Sequence, residues 1–312
     1  MKRFIIKVIL FLLPVVIIAV SMEYLLRHIP NEYIYKKNYL DKHSNEIEIL
    51  ILGSSEGYFG INPVYLSHHA FNIANVSQSL DLDYQIFMKY QNSLDGLKIV
   101  IIPVSYSILW YNLRTGFESW RIKNYAIYYG IDTQSASDRF EILNGKLGIN
   151  IQRIYNFYVK NHYSISCSEF GWATTYKSEV VNNLDESGIT TALRHSYKDL
   201  HSEHRIKLFK ENITALSSFA EYCDKNNIQV LFITFPAYYT YRERLNTEQL
   251  QLMNETINGL VKKHNNCLYI NWFDNSDFVR EDFFDVDHLN EIGAKKITKK
   301  LAFCIDSLGI LK

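Results

Sequence analysis

Two short stretches near opposite ends of the chain carry residue types suited to chemistry. The first runs Ile51-Leu52-Gly53-Ser54-Ser55-Glu56, where an apolar, β-rich run ends in a glycine and two serines. A serine at a strand-to-helix turn presents its hydroxyl at the sheet edge. There it meets the free N–H groups and the positive dipole end of the following helix. The second stretch is Phe284-Asp285-Val286-Asp287-His288-Leu289. A carboxylate close to an imidazole fixes its tautomer and stabilises its protonated form, as a serine-activating base requires. Asp285 is preferred over Asp287 as that carboxylate, because the side chains of adjacent residues tend to point apart. Each stretch alone is ordinary: serines cap helices constantly, and Asp and His are common in loops. Their combination points to a nucleophilic serine served by a histidine.

The elements that must position these residues follow from the hydropathy pattern. Short apolar runs at residues 46–52, 71–76, 98–104 (KIVIIPV), 230–235 (VLFITF) and 267–272 (CLYINW) read as buried strands. Helical spacing over 82–94, 203–225, 247–264 and 290–308 places helices around and between them. Buried strands alternating with helices predict an α/β fold, a doubly wound parallel sheet covered on both faces. Sites in such sheets form at the carboxyl ends of the strands. That rule singles out Asn75-Val76-Ser77, Ser105-Tyr106 and Pro236-Ala237-Tyr238, besides the two stretches above. From about 106 to 200 the pattern gives way to a polar, aromatic stretch, read as an insertion that caps the strand ends.

Composition narrows the function. The chain has 312 residues, 33 Lys+Arg and 33 Asp+Glu, a balance that offers no basic field for nucleic acid. Tyrosine is abundant, 23 against 18 Phe and 4 Trp, which suits a wet groove contacting sugar or peptide. The four cysteines, Cys167, Cys223, Cys267 and Cys304, form no CxxC pair and no zinc-ligand spacing. Cys223 and Cys304 fall in apolar-periodic stretches and read as small core residues. No phosphate loop or dinucleotide fingerprint is present, and no metal or cofactor is expected.

The N-terminus is a functional signal of its own. Residues 4–20, FIIKVILFLLPVVIIAV, are apolar apart from Lys7 and follow Lys2 and Arg3. The length suffices to span a bilayer, and the preceding positive charge puts the N-terminus in the cytoplasm and the rest outside. Ala19-Val20-Ser21 fits a signal-peptidase site poorly, so an uncleaved single-pass anchor is favoured over a cleaved leader. The expected organisation is an anchor over 1–30 and one α/β domain over 31–312 carrying the insertion.

Other clusters have simpler readings. His195, His201 and His204 in RHSYKDLHSEHR lack a carboxylate at diagnostic spacing and read as solvated residues around a helix start. Tyr238, Tyr239 and Tyr241 could stack on a sugar and Arg242 or Arg244 could hold an acidic one, against a plain reading of loop packing. Lys295, Lys296, Lys299 and Lys300 read as the solvated face of the last helix.

Gly53-Ser54-Ser55 after the first strand and Asp285-Val286-Asp287-His288 before the last helix match, in order and place, the terminal blocks of the SGNH (GDSL-like) hydrolase superfamily. The phrases GSSEGYFGINP, FNIANVSQSLDLDY and DVDHLNEIGA resemble a membrane-anchored branch often linked to bacterial surface-polysaccharide genes. Distant relatives would be the D-alanine transfer protein for teichoic acids and the alginate O-acetyltransferases. The resemblance covers roughly 45–105 and 205–308. It implies a flavodoxin-like three-layer fold. Ser55 would be the nucleophile, His288 the general base and later the acid, Asp285 its orienter, and the Ser55 N–H one oxyanion donor. Asn75 stands where the superfamily has a glycine whose N–H donates. Where it has an asparagine, this chain has Ser105, a weaker donor. Tyr238 joins these as a substrate contact.

The resemblance implies a serine esterase or O-acyltransferase working on the ester groups of a surface polysaccharide in the periplasm or at the cell exterior. A membrane-bound acyl-transfer partner would fit such a role. The alternative from another class is a catalytically silent module of the same fold that binds glycan or an assembly partner. A plain lipid or peptide hydrolase is the third reading, for which no apolar acyl groove is recognisable.

Overall fold

A computed structural model describes residues 1–163, 165–180 and 182–309. In chain order the elements are α1 (Lys2–Arg27), α2 (Glu32–His43), β1 (Ile49–Ile51), α3 (Ser55–Gly60), β2 (Ala70–Asn72), α4 (Leu80–Tyr90) and β3 (Ile99–Pro103). Then come α5 (Ile122–Asn124), α6 (Leu147–Tyr158), α7 (Leu184–His195), α8 (Glu203–Lys225), β4 (Gln229–Thr234), α9 (Tyr239–Arg242), α10 (Thr247–Lys263), β5 (Cys267–Asn271) and α11 (Glu291–Leu308). The five strands form one all-parallel sheet in the order β2-β1-β3-β4-β5. This is the doubly wound α/β architecture expected, with its switch point between β1 and β3.

The expected strands and the long helices after residue 200 are present, with shifted ends. Residues 44–46 make a 3-10 turn, so β1 begins only at Ile49. β2 ends at Asn72, yet the ladder runs on: Ile73 N–H donates to Ile51 O (2.8 Å) and Asn75 N–H to Gly53 O (3.2 Å). β1, β2 and β3 are buried throughout, which accounts for their unbroken apolar sequences. Between Tyr106 and Leu200 lie α5 to α7, together with several 3-10 turns and one π turn over Tyr125–Tyr129.

The chain divides into two compact units, Met1–Asn38 with Glu118–Ile165, and Tyr39–Phe117 with Ser166–Lys312. Part of the mid-chain insertion thus groups with the N-terminal helices. The first unit holds α1, which is long and apolar enough to cross a membrane. The second holds the sheet.

One buried carboxyl sets the turn after β1. Gly53 adopts φ +105°, and a Cβ there would lie 2.8 Å from Pro103 Cδ. Its N–H donates to Asp83 Oδ1 (2.8 Å), which also accepts from Gln78 Nε2 (2.5 Å). Asp83 is 2% exposed, and its second oxygen has no hydrogen-bond partner. Burial, opposed by these two donors, pushes its pKa up from 3.8 to about 7.

The folded chain thus holds a proton on Asp83 between about pH 4 and 7 that the unfolded chain releases. Stability falls as pH rises through that window. Asp83→Asn retains both accepted hydrogen bonds and loses this dependence. Urea denaturation is expected to show the variant gaining on the parent from pH 4 to 7, by on the order of a few kcal/mol at the upper end. Parallel pH profiles would contradict this assignment.

Candidate active site

The site lies at the carboxyl ends of β1, β3 and β4, where the turn after β1 feeds directly into α3. Ser54 is the N-cap of α3 in extended conformation, and its hydroxyl is held by the Glu56 carboxylate. Ser55, the first helical residue, is the serine that faces the histidine. Gly57 lets α3 pack closely: a Cβ there would lie 2.8 Å from Pro103 Cγ and 2.9 Å from Leu52 O.

The Asp285-to-His288 segment folds as a tight loop between the bridge partners Phe283 and Leu289. Asp285 Oδ1 accepts from the backbone N–H of Asp287 (3.2 Å) and of His288 (2.9 Å), so this carboxylate shapes the loop it sits in. It also lies 2.8 Å from His288 Nδ1, with Oδ2 at 3.1 Å. The far side of the ring reaches Ser55: His288 Nε2 is 2.7 Å from Ser55 Oγ. With Nδ1–H pointing at Asp285, Nε2 is the nitrogen free to take the serine proton. The structure therefore brings together Ser55, His288 and Asp285.

Asp287 does not point away, contrary to the expectation for adjacent side chains. Its Oδ1 lies 3.4 Å from His288 Nδ1, and its Oδ2 lies 3.5 Å from Nδ1 of His195. A loop turning this tightly puts both carboxylates on one side of the imidazole. Burial opposes charge on His288, but Asp285 and then Asp287 outweigh it and raise its pKa well above 6.5. The same pairing holds Asp287 far below the usual carboxylate range despite its burial.

His195 is the residue that sequence reading misplaced. It is not a solvated residue at a helix start. It ends α7 beside the site, with Nδ1 3.0 Å from the Tyr241 hydroxyl as well as near Asp287. Its main-chain carbonyl accepts from Gln249 Nε2 (3.0 Å), a wholly buried amide. Burial lowers the His195 pKa, against the pull of Asp287. No spacing in the sequence signals this, since His195 reaches the site only through the fold of α7 and the loop after β4. His201 and His204 are exposed as expected, and His201 pairs with Glu248 at 2.9 Å.

The remaining expected contacts fare differently. Asn75 is buried, but its N–H is taken by Gly53 O as the last rung of the β1–β2 ladder. It is therefore not a free backbone donor. Its side-chain Nδ2 lies 3.4 Å from Ile73 O. Ser105 lines a small cleft with Glu56, Tyr106, Tyr241 and Asp287. Tyr238 does not line that cleft. Its ring packs on Phe283, and its N–H donates to Val286 O (2.8 Å), pinning the histidine loop. Arg242 pairs with Asp274, and Arg244 turns back to Thr240 O (2.8 Å).

The returning part of the insertion straps the site. Trp172 Nε1–H donates to Phe59 O (2.6 Å), and Ala173 N–H to Tyr58 O (3.0 Å). Tyr176 stacks between Phe59 (3.5 Å) and Phe284 (3.8 Å), and both Phe59 and Tyr176 meet the His288 ring edge-on. Glu291 accepts from the Ser178 N–H (2.8 Å) and hydroxyl (2.6 Å). Oxygens of Asp285 and Asp287 and a nitrogen of His288 lie within 4.8 Å of one another, a spacing compatible with a cation. In this arrangement both imidazole nitrogens already serve hydrogen bonds, which leaves only carboxylate oxygens for a metal.

No family model matches the chain, and no curated protein matches it. Among solved structures it is similar to a GDSL-like lipase from Bacteroides thetaiotaomicron, at 11% identity and a TM-score of 0.43 over 88% of this chain and 99% of that one. It is also similar to a Bacteroides fragilis protein provisionally described as an acylhydrolase, at 10% identity and a TM-score of 0.42 over 86% and 95%. A Streptococcus pneumoniae protein provisionally described as a platelet activating factor aligns at 8% identity and a TM-score of 0.44 over 95% and 98%. These likenesses are of fold only.

The shared carboxylates make a prediction that needs no substrate. By imidazole NMR titration, Asp287→Asn should lower the pKa of both His195 and His288, since Asp287 raises both. Asp285→Asn should lower that of His288 and leave His195 in place. If Asp287→Asn moves only His288, Asp287 is not the bridge.

Proposed function

We propose that this chain is a membrane-anchored serine esterase or O-acyltransferase that acts on ester groups of a surface polysaccharide outside the cytoplasm. The observation that carries the reading is the 2.7 Å contact of Ser55 Oγ with His288 Nε2, backed by Asp285 at 2.8 Å on the opposite nitrogen. Ser55 Oγ attacks the acyl carbonyl carbon while Nε2 takes its proton. The tetrahedral intermediate collapses, the ester C–O bond breaks, and the imidazolium returns the proton to the leaving alcohol. An acyl-Ser55 remains. A water or a sugar hydroxyl then repeats the sequence in reverse, giving hydrolysis or transfer.

The raised pKa of His288 suits the imidazolium stage of this cycle, and it delays the neutral form that starts it. The limb of kcat/KM reporting His288 should therefore rise with pH above 6.5. Support for an extracytoplasmic glycan comes from the apolar α1, the tyrosine-rich composition and the resemblance of the sequence blocks. A membrane-bound acyl-transfer partner remains part of the proposal on the same grounds.

A second reading, a silent glycan-binding or assembly module, is favoured by one specific feature. The Asn75 N–H is spent and Ser105 stands where an asparagine is expected, so the oxyanion side is short of donors. One missing donor costs ~10²–10³ in rate.

The full chain in detergent, given a chromogenic acetyl ester, is expected to turn over, with Ser55→Ala and His288→Ala each reducing the rate by ~10³ or more. A fluorophosphonate probe should label Ser55 in the parent only. Equal turnover by parent and Ser55→Ala would sink the enzymatic reading. Glycan binding that survives both substitutions, with no esterase activity in the parent, would support the silent module.

A further inference from the structure

We infer that α6 is an interfacial membrane helix that lies in the headgroup region of the outer leaflet beside the anchor. The inference rests on α1 spanning the bilayer and adds a second membrane contact to it.

The level of α6 follows from α1. Residues 4–18 of α1 are all exposed, and cover begins at Ala19. A hydrocarbon core of ~30 Å needs ~20 helical residues, so a span starting at Phe4 ends near Glu23. At that level the 139–142 segment docks. The Glu23 carboxylate accepts from the N–H of Glu141 (3.1 Å) and of Ile142 (3.0 Å), and Arg27 donates to Arg139 O. The Tyr158 hydroxyl, at the end of α6, donates to Leu25 O (3.0 Å). The wholly buried Glu141 completes the anchorage, paired with Lys123 (2.6 Å) and Arg153 (2.9 Å) and accepting from Tyr128 (2.9 Å). The segment leading into α6 and the C-terminal end of α6 are thereby held at the place where α1 leaves the bilayer.

The surface presented there is built for lipid rather than water. Leu143, Leu147, Ile151, Tyr155 and Val159 recur at four-residue spacing and are 48–64% exposed. One helix face thus carries an apolar stripe that is about half exposed or more along its length, continuous in character with the bare α1. Large exposed patches of this kind mark interaction sites. The charge pattern selects the partner. From Ile142 to Tyr163 the chain has no Asp or Glu, and besides Arg153, which is engaged by Glu141, it carries Lys146 and Lys160. Lys160 lies over the Tyr155 ring, at 5.4 Å. Cationic and aromatic residues flanking an aliphatic stripe are the composition of helices that lie in an anionic membrane surface.

The test uses the full chain in vesicles of phosphatidylcholine and phosphatidylglycerol, with lipids brominated near the headgroup or near the chain end. Tryptophan is introduced singly as Ile151→Trp, Tyr155→Trp and Ile9→Trp, and the parent's emission is subtracted. Unchanged thermal unfolding confirms that each variant is folded. Expected is loss of most of the added emission at 151 and 155 with shallow bromine and less with deep bromine. Position 9 should show the reverse. Quenching at 9 without quenching at 151 and 155 overturns the inference and leaves the anchor standing. Emission at 151 that is blue-shifted yet insensitive to bromine also overturns it, in favour of a protein partner on this face. No quenching at 9 overturns the anchor and the inference with it.

Discussion

The hydrogen bond between Ser55 and His288 joins residues 233 positions apart and organises the second unit. For it to exist, the turn after β1 and the loop before α11 must arrive at the same sheet edge. The parallel ladder delivers the first. Pairing of β1 with both β2 and β3 brings Gly53 against Pro103, and the Asp83 carboxyl fixes the Gly53 N–H. The second is delivered by side chains. Asp285 folds its own loop through two backbone N–H groups, while Tyr238 holds Val286 from the end of β4.

The negative charge around the imidazole is larger than a single orienting carboxylate would supply. Asp287 is shared between two histidines whose pKa values move in opposite directions: His288 up through its acids, His195 down through burial. Around one buried acid the charged form is thus favoured on His288 more than on His195, whose Nδ1 lies against the Tyr241 hydroxyl.

The fold was legible because buried parallel strands write themselves as unbroken apolar runs. All five strands were readable from sequence, while their order is set by the pairing of β1 between β2 and β3. The serine and histidine blocks were legible because each sits beside a strand or helix end with a recognisable composition. What was not legible came from side chains converging through tertiary structure. His195 lies in a polar stretch whose local pattern says only that a helix starts nearby. Asp287 looked geometrically wrong because the loop's tightness is set by Asp285 accepting backbone hydrogen bonds, which sequence spacing does not reveal. Asn75 looked like an available donor because the ladder's continuation past the end of β2 leaves no trace in composition.

The column of Phe59, Tyr176 and Phe284 draws on three separate segments: α3, the returning insertion and the histidine loop. Two of its rings stand edge-on to His288, whose side chain is only 12% exposed. An imidazole confined this way has little room to rotate about its side-chain bonds. Its orientational entropy is surrendered once, when the chain folds, and not again at each encounter with a substrate. The mid-chain insertion is thus more than a cover over the sheet edge: by supplying Tyr176 it makes the ordering of the base part of the folding reaction itself.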